Sequence, residues 1–243
     1  MDKFGSPELF FLLQGLKWTL LLTLISFIGG GVIGLVIALA RVSSVRIIKW
    51  FATAYIAVFQ GTPLLMQLFV IFYGLALMEI NVDAWVAVSL AFTAHASAFL
   101  GDIWRGTIQS LPRGQTEASN ALGIGYIARM RDIVLPQAIK ISLPATIGFA
   151  VQLTKGTSLA AIVGFVELAR AGQIVSNLIF QPLLVYGIVG LIYFFVCWPM
   201  SIWGSLGSSF KCNTQSPLGI GCCDGHTKQA PQQRGPWRDI GRA

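Results

Sequence analysis

Residues 114–136 read GQTEASNALGIGYIARMRDIVLP, and they carry Glu117, Arg129, Arg131 and Asp132 between two long apolar runs. Charge at bilayer depth is costly, so this stretch faces water while its flanks suit lipid. The chain therefore reads as apolar rods with an aqueous loop, residues 106–140, between the third and the fourth. Inside the loop, residues 115–122 predict a short helix that Gly123 stops, because a residue without Cβ takes φ > 0 freely. Residues 126–134 predict a second, with Ile127, Met130 and Val134 on one face at helical spacing. Pro136 is expected to end it. Two short helices at an angle make a knob able to fill a groove on a soluble partner.

Composition agrees with lipid. Of 243 residues, 55% are hydrophobic and 11% charged, against roughly a quarter charged in a soluble domain. A helical span takes about 20 apolar residues, which predicts an all-α polytopic membrane protein with five transmembrane helices, at residues 16–40, 50–77, 84–103, 145–165 and 187–206. The net charge of +7 is spread over short loops and a tail, so it reads as positive-inside bias and not as a nucleic-acid surface. The loops with Arg41, Arg46 and Lys49, and with Arg105, Arg113, Arg129, Arg131 and Lys140, fall on the cytoplasmic side. Glu79 and Asp83 fall on the other, which places the amino end outside and the carboxyl end inside. The first apolar run is too long for a signal peptide and reads as a retained span.

Within the spans, Gly30 and Gly34 offer a small face for close helix packing. The stretch 59–68, FQGTPLLMQL, interrupts the second span at Gln60-Gly61-Thr62-Pro63, where proline removes a backbone donor and predicts a kink or break. Asp102 and Arg105 stand three apart and are expected to pair. His95 reads equally as a pH-sensing or ligand-touching group and as a satisfied packing histidine. Lys155, near the centre of the fourth span and followed by Gly156-Thr157-Ser158, faces protein or water; it marks a functional site or is bonded to helix-end carbonyls. Residues 167–186 are mixed and are expected to lie along the outer surface. Residues 207–243 are rich in Gly, Pro, Gln, Ser and Arg and predict a disordered tail. Its Cys222-Cys223-Asp224-Gly225-His226 lacks paired zinc spacing, so no metal site is assigned.

The spacing Glu117-Ala118-Ser119, three residues, Gly123, nine residues, Ile133-Val134-Leu135-Pro136 resembles the coupling loop of ATP-binding cassette importer permeases, Glu-Ala-Ala, x3, Gly, x9, Ile-x-Leu-Pro, with Ser119 for an alanine. Gly101-Asp102-Ile103-Trp104-Arg105-Gly106 is similar to that family's entry into the loop, with Asp102 for glutamate. FQGTPLLMQL resembles the signature of the polar amino acid permeases, with Gln60 for arginine, and residues 155–159 resemble their Lys-x-Thr-Ser-Leu segment. The resemblance covers roughly residues 16–206. It implies a permease subunit of a binding-protein-dependent importer in the bacterial cytoplasmic (inner) membrane. Its partners would be ATP-binding cassette ATPase subunits, a second permease subunit in a homo- or heterodimer, and an extracytoplasmic solute-binding protein. The subunit itself would be non-catalytic and hold no cofactor.

On this resemblance Gln115, Glu117, Ala118, Ser119, Gly123, Ile133, Leu135 and Pro136 contact the ATPase. The substrate path would draw on Gln60, Thr62, Gln67, His95, Lys155, Thr157 and Ser158, since a zwitterion needs donors for its carboxylate and acceptors for its ammonium. The competing reading is an ion-coupled secondary transporter of small polar solutes, which would rely on intramembrane carboxylates or paired repeats. Only Asp102, at a span end, offers one, and no repeat is visible. A membrane enzyme would need a nucleophile, base and orienter together, and Cys197 and His95 stand alone. The chain also lacks a phosphate-cradling Gly-x4-Gly-Lys-Ser/Thr loop, so any nucleotide is bound elsewhere.

Overall fold

The computed structural model describes the backbone of residues 5–43, 45–80 and 82–212, and the side chains of these except 113 and 205–212. Residues 1–208 form one compact unit and 209–243 a second; the tail expected to be disordered lies almost wholly outside the described residues. Among the described residues there is no strand. The elements are α1 (Ser6–Val42), α2 (Arg46–Gly61), α3 (Leu64–Leu77), α4 (Ala84–Ser110), α5 (Arg113–Ala121), α6 (Tyr126–Arg129), a π-helical stretch (Met130–Val134), α7 (Leu135–Gly156), a 3₁₀ stretch (Thr157–Val163), α8 (Leu168–Ile179) and α9 (Pro182–Cys212). Four helical segments are long and apolar enough to cross a bilayer, and the broken pair α2–α3 makes a fifth if counted as one span.

α1 buries one stripe, Leu12, Gly15, Thr19, Leu22, Ser26, Gly30, Gly34 and Ala38, at steps of three and four residues. Its other faces expose Leu, Ile and Val, as a helix does when lipid is the solvent on that side. The small residues of the stripe fix its partners. A Cβ added to Gly30 would lie 2.5 Å from the Ala96 Cβ of α4, and one added to Gly34 would lie 2.9 Å from the Ser97 carbonyl oxygen. The close packing read from Gly30 and Gly34 is therefore the α1–α4 contact, the most extensive in the molecule. α4 occupies the centre, with Val88, Ala91, Phe92, Ala96 and Leu100 packed with Leu22, Leu68, Phe149 and Leu153. A separate cluster joins Leu12 of α1 to Leu168, Ala171, Val175 and Ile179 of α8 and Val185 and Val189 of α9. α1 thus runs through two cores.

One expectation is corrected. Pro136 does not end a helix: the chain is helical without interruption from Tyr126 to Val163, so the fourth span begins well before residue 145. The π stretch directly before α7 is the reason. Its wider turn re-spaces the backbone bonds just where a proline nitrogen has no proton to give, and Pro136 then sits in the first turn of α7, where none is needed. Residues 167–186 keep an exposed face, with Gln173, Asn177, Leu178 and Gln181, and turn the other inward. α8 buries Leu168, Ala171, Gly172, Val175, Ser176 and Ile179, and a Cβ on Gly172 would meet Val189 at 2.7 Å.

Gly30→Val should overpack the α1–α4 contact and lower the stability of the folded chain by about 1–3 kcal/mol or more, read as a fall in melting temperature in detergent. Gly74→Ala, where no atom lies within 4 Å of the added carbon, should leave it nearly unchanged.

Candidate functional site: a broken span, an open depression and a two-helix knob

The break foreseen at Gln60-Gly61-Thr62-Pro63 is real. α2 and α3 meet at 104°, with Thr62 and Pro63 extended between them. A helix end inside lipid leaves carbonyls that water cannot reach, and they must be satisfied from within the protein. Gln67 does this. It is buried at 7% exposure, and its Nε2 donates to the Phe59 carbonyl at 2.7 Å, the Thr62 carbonyl at 2.9 Å and Thr62 Oγ1 at 2.9 Å. Its Oε1 faces Nδ1 of His95 at 3.0 Å, so Nδ1 carries the proton and the ring is held as one tautomer. His95 is buried and packs on Phe99 at 4.5 Å and Phe149 at 6.4 Å between centroids. These contacts give His95 a partner at Nδ1 and aromatic neighbours on its ring.

Thr62, Gln67 and His95 are thus joined, and Gln60 is exposed beside them. The segment 155–158 approaches the same break from the other side, since a Cβ on Gly156 would touch Leu64 at 3.3 Å and Phe92 at 3.8 Å. Thr157 is fully buried and its hydroxyl donates to the Thr154 carbonyl at 2.7 Å; Ser158 Oγ donates to the Lys155 carbonyl at 2.8 Å. Lys155 points away from this cluster. It is exposed, in the last turn of α7, and lines an open depression of about 430 Å³ between α7 and α9 with Val151, Tyr193, Cys197, Trp198 and Ser201. Among the described residues no carboxylate lies within salt-bridge distance of Lys155.

At the far end of the molecule α5 and α6 form the knob. Gly123 has φ 71°, the left-handed conformation expected of it. Ser119 is buried and its hydroxyl donates to the Thr116 carbonyl at 2.9 Å. Gln115 Nε2 donates to Gln137 Oε1 at 3.0 Å, tying α5 to α7, and Arg129 donates to Asn120 while lying 5.3 Å over the Tyr126 ring. The expected face of Ile127, Met130 and Val134 is divided. Val134 is buried with Ile108 and Ala138, and Met130 packs on that cluster. Ile127 instead is 80% exposed, as is Leu122 at 78%. Glu117 and Ala118 are exposed, Ile133 and Leu135 are half-buried, and Pro136 is exposed. Behind the knob Asp102 binds Arg105 at 3.0 Å, as the spacing foretold, and also Arg41 of α1 at 3.1 Å.

The sequence reading missed one polar group. Glu167 is 0% exposed; it caps α8, accepting from the backbone N–H of Ala169 and of Arg170, each at 2.8 Å, and from Tyr193 Oη at 3.0 Å. Thr19 Oγ1 stands 3.5 Å away and accepts from the Leu168 N–H at 3.1 Å. The available signal was the period Leu168, Ala171, Val175, Ile179, an apolar face that starts just after an acid.

A polytopic helical bundle with a broken span, an open depression beside Lys155 and an exposed two-helix knob is the architecture of an integral membrane protein. The chain belongs to the family of binding-protein-dependent transport system inner membrane components, whose model matches residues 30–205. It is 35% identical over 187 residues to the probable amino-acid ABC transporter permease protein YckA of Bacillus subtilis, covering 77% of this chain and 83% of that protein. It is 35% identical over 193 residues to the arginine transport system permease protein ArtQ of the same organism, covering 77% and 86%. The crystal structure of an amino acid ABC transporter with histidines superposes with a TM-score of 0.77 at 35% identity, covering 82% of this chain and 94% of that one. An inward-facing structure of the MetNI methionine ABC transporter, at 20% identity and TM-score 0.72, shares the fold.

Gln67→Leu should leave the Phe59 and Thr62 carbonyls and His95 Nδ1 without their partner. A loss of about 1–3 kcal/mol per buried unsatisfied group follows, checked by thermal unfolding against Gln67→Glu and wild type.

Proposed function

We propose that this chain is the permease subunit of an importer of polar amino acids, driven by ATPase subunits that grip the α5–α6 knob on the cytoplasmic side. A second permease subunit and an extracytoplasmic solute-binding protein complete the assembly, and the amino end lies outside. The observation that carries the reading is the knob. Leu122 and Ile127 are large apolar residues about four-fifths exposed, at the tip of a polar loop where lipid offers no cover. Gln115 also joins the knob to α7 by a hydrogen bond to Gln137. A push on it is thereby delivered to the span that carries Lys155, and through Asp102 and Arg41 to α1. In this mechanism Glu117, Ala118, Ser119 and Gly123 shape the docking face, while Ile133, Leu135 and Pro136 set the junction with α7. Rigid-body displacement of the spans then exposes a site near the broken helix to either side in turn.

For the substrate, Lys155 supplies the charge a carboxylate needs, and it fronts the α7–α9 depression. Thr62, Gln67, Thr157 and Ser158 have their side-chain donors occupied by the protein, as has His95 at Nδ1, which supports a framing role for them and leaves Lys155 and Gln60 as the contacts. Names of relatives such as the arginine permease ArtQ and the cystine permease TcyB place polar amino acids among the solutes to test.

Glu117→Lys should cut co-purification with the ATPase about tenfold or more, since like charge in a complementary interface costs several kcal/mol. Gly123→Val, which strains a left-handed position, should do the same, with the chain still inserted and folded. A cysteine at Asn120 should react with an impermeant reagent in inside-out vesicles and not in intact cells. Reaction from the outer face would overturn the proposed orientation.

A further inference from the structure

Glu167 belongs to none of the segments assigned above, yet it is among the most completely enclosed polar groups described. Its Oε2 accepts from the Ala169 N–H and from Tyr193 Oη, with Thr19 Oγ1 at the edge of reach, while Oε1 accepts from the Arg170 N–H. Each of these groups can donate, so the carboxylate acts as a fixed acceptor, and hydrogen bonds to an ionised group are roughly twice as strong as neutral ones. The backbone around it is closely packed: a Cβ on Gly15 would meet Ala171 at 2.9 Å and the Glu167 carbonyl oxygen at 3.1 Å. Tyr193 is the link outward, for its ring is also part of the wall of the depression that holds Lys155, Cys197 and Trp198.

We propose that Glu167 is a positioning residue for the Lys155 depression and acts through Tyr193. By holding the phenol hydroxyl from behind, the carboxylate keeps the ring flat in the wall. Thr157 and Thr19 also stand beside that hydroxyl; without the carboxylate the phenol rests on these two neutral partners, and the ring shifts in the wall. The role in transport rests on the reading of the depression as part of the substrate path; the mechanical link from Glu167 to Tyr193 does not. Glutamine is not equivalent at this position. Its amide NH₂ would confront either the Arg170 N–H or the group of donors at Oε2, so one side loses its acceptor.

The test uses the whole transporter in proteoliposomes, with Cys212, Cys222 and Cys223 changed to serine so that Cys197 reports on the depression. Glu167→Gln and Tyr193→Phe should each change the rate of Cys197 modification by a methanethiosulfonate ethylammonium reagent by about tenfold, the scale of one lost hydrogen bond to a charged group. The double variant should change it no further, as required of two residues acting in one chain. The apparent KM for L-glutamine or L-arginine should move in the same two variants with the maximal rate held. Additive effects overturn the proposal, as does a lower melting temperature in Glu167→Gln with Cys197 reactivity and KM unchanged, which would leave Glu167 only a helix cap. If Glu167→Gln fails to assemble, Tyr193→Phe decides alone, and an unchanged Cys197 rate in it overturns the proposal. Lys155→Gln separates the two readings: a normal KM there, with Cys197 still altered by Glu167→Gln, removes the depression from the substrate path and keeps the link to Tyr193.

Discussion

Hydrocarbon offers no partner to a peptide carbonyl or N–H, and every departure from the α-helix in this chain has to be repaired from inside the protein. Four repairs are visible, each of a different kind. At the α2–α3 break one amide, Gln67, covers the Phe59 and Thr62 carbonyls. At Pro136 a π-helical turn re-spaces the backbone bonds ahead of the residue that lacks a proton. At the end of the 3₁₀ stretch Gly164, at φ 84°, closes the turn. At the start of α8 a buried carboxylate caps two N–H groups. The first of these is also where the proposed site gathers: Thr62 and Gln67 stand at the break, and His95 of α4 joins them.

α1 gives these irregular pieces a common frame. Its first half lies in the core with α8 and α9, its second half against α4, and both contacts rely on glycines that let backbone approach backbone. Close van der Waals contact is the main attraction available between helices in lipid, and α1 obtains it at its glycines, where backbone meets backbone, and at Leu12 and Leu22, which pack into the two cores. Arg41 adds an ionic contact to Asp102 at the end nearest the knob. Displacement of α4 is therefore difficult without α1, and displacement of α1 carries α8 with it. On the proposed mechanism this is how movement at one end of the bundle reaches the other.

Much of this was legible from residues alone. The apolar runs marked the spans, Gln60 to Pro63 marked the break, Gly30 and Gly34 marked a close crossing, and Asp102 announced its partner Arg105, because each of these depends on neighbours in sequence. What escaped depends on distant ones. Arg41 reaches Asp102 across 61 positions and Thr19 reaches Glu167 across 148, and no local pattern encodes either. The π turn before Pro136 was invisible for a different reason: proline reads as a stop unless the preceding bonds are already re-spaced. Lys155 was placed near the middle of a span because the helix was expected to start at residue 145. With its start at Tyr126, the same lysine falls at the last turn of α7, beside the 3₁₀ stretch.

The placement of carboxylates also bears on how the chain is driven. An ion-coupled carrier works through an acid that exchanges its partner for a proton or a metal ion during the cycle. Within the described bundle Asp102 is held by two arginines from two helices, and Glu167 by two backbone N–H groups and a phenol in a space with no exposure. Releasing Glu167 would leave buried donors without a partner, about 1–3 kcal/mol for each, and releasing Asp102 would leave Arg41 and Arg105 without their shared acceptor. Both acids are better suited to resisting movement than to initiating it. Leu122 and Ile127, by contrast, are free in the structure and gain by being covered, roughly 1.5–3 kcal/mol for each side chain fully removed from water. The favourable change that could set the bundle moving is therefore concentrated at the knob, on the face that the proposed ATPase would cover.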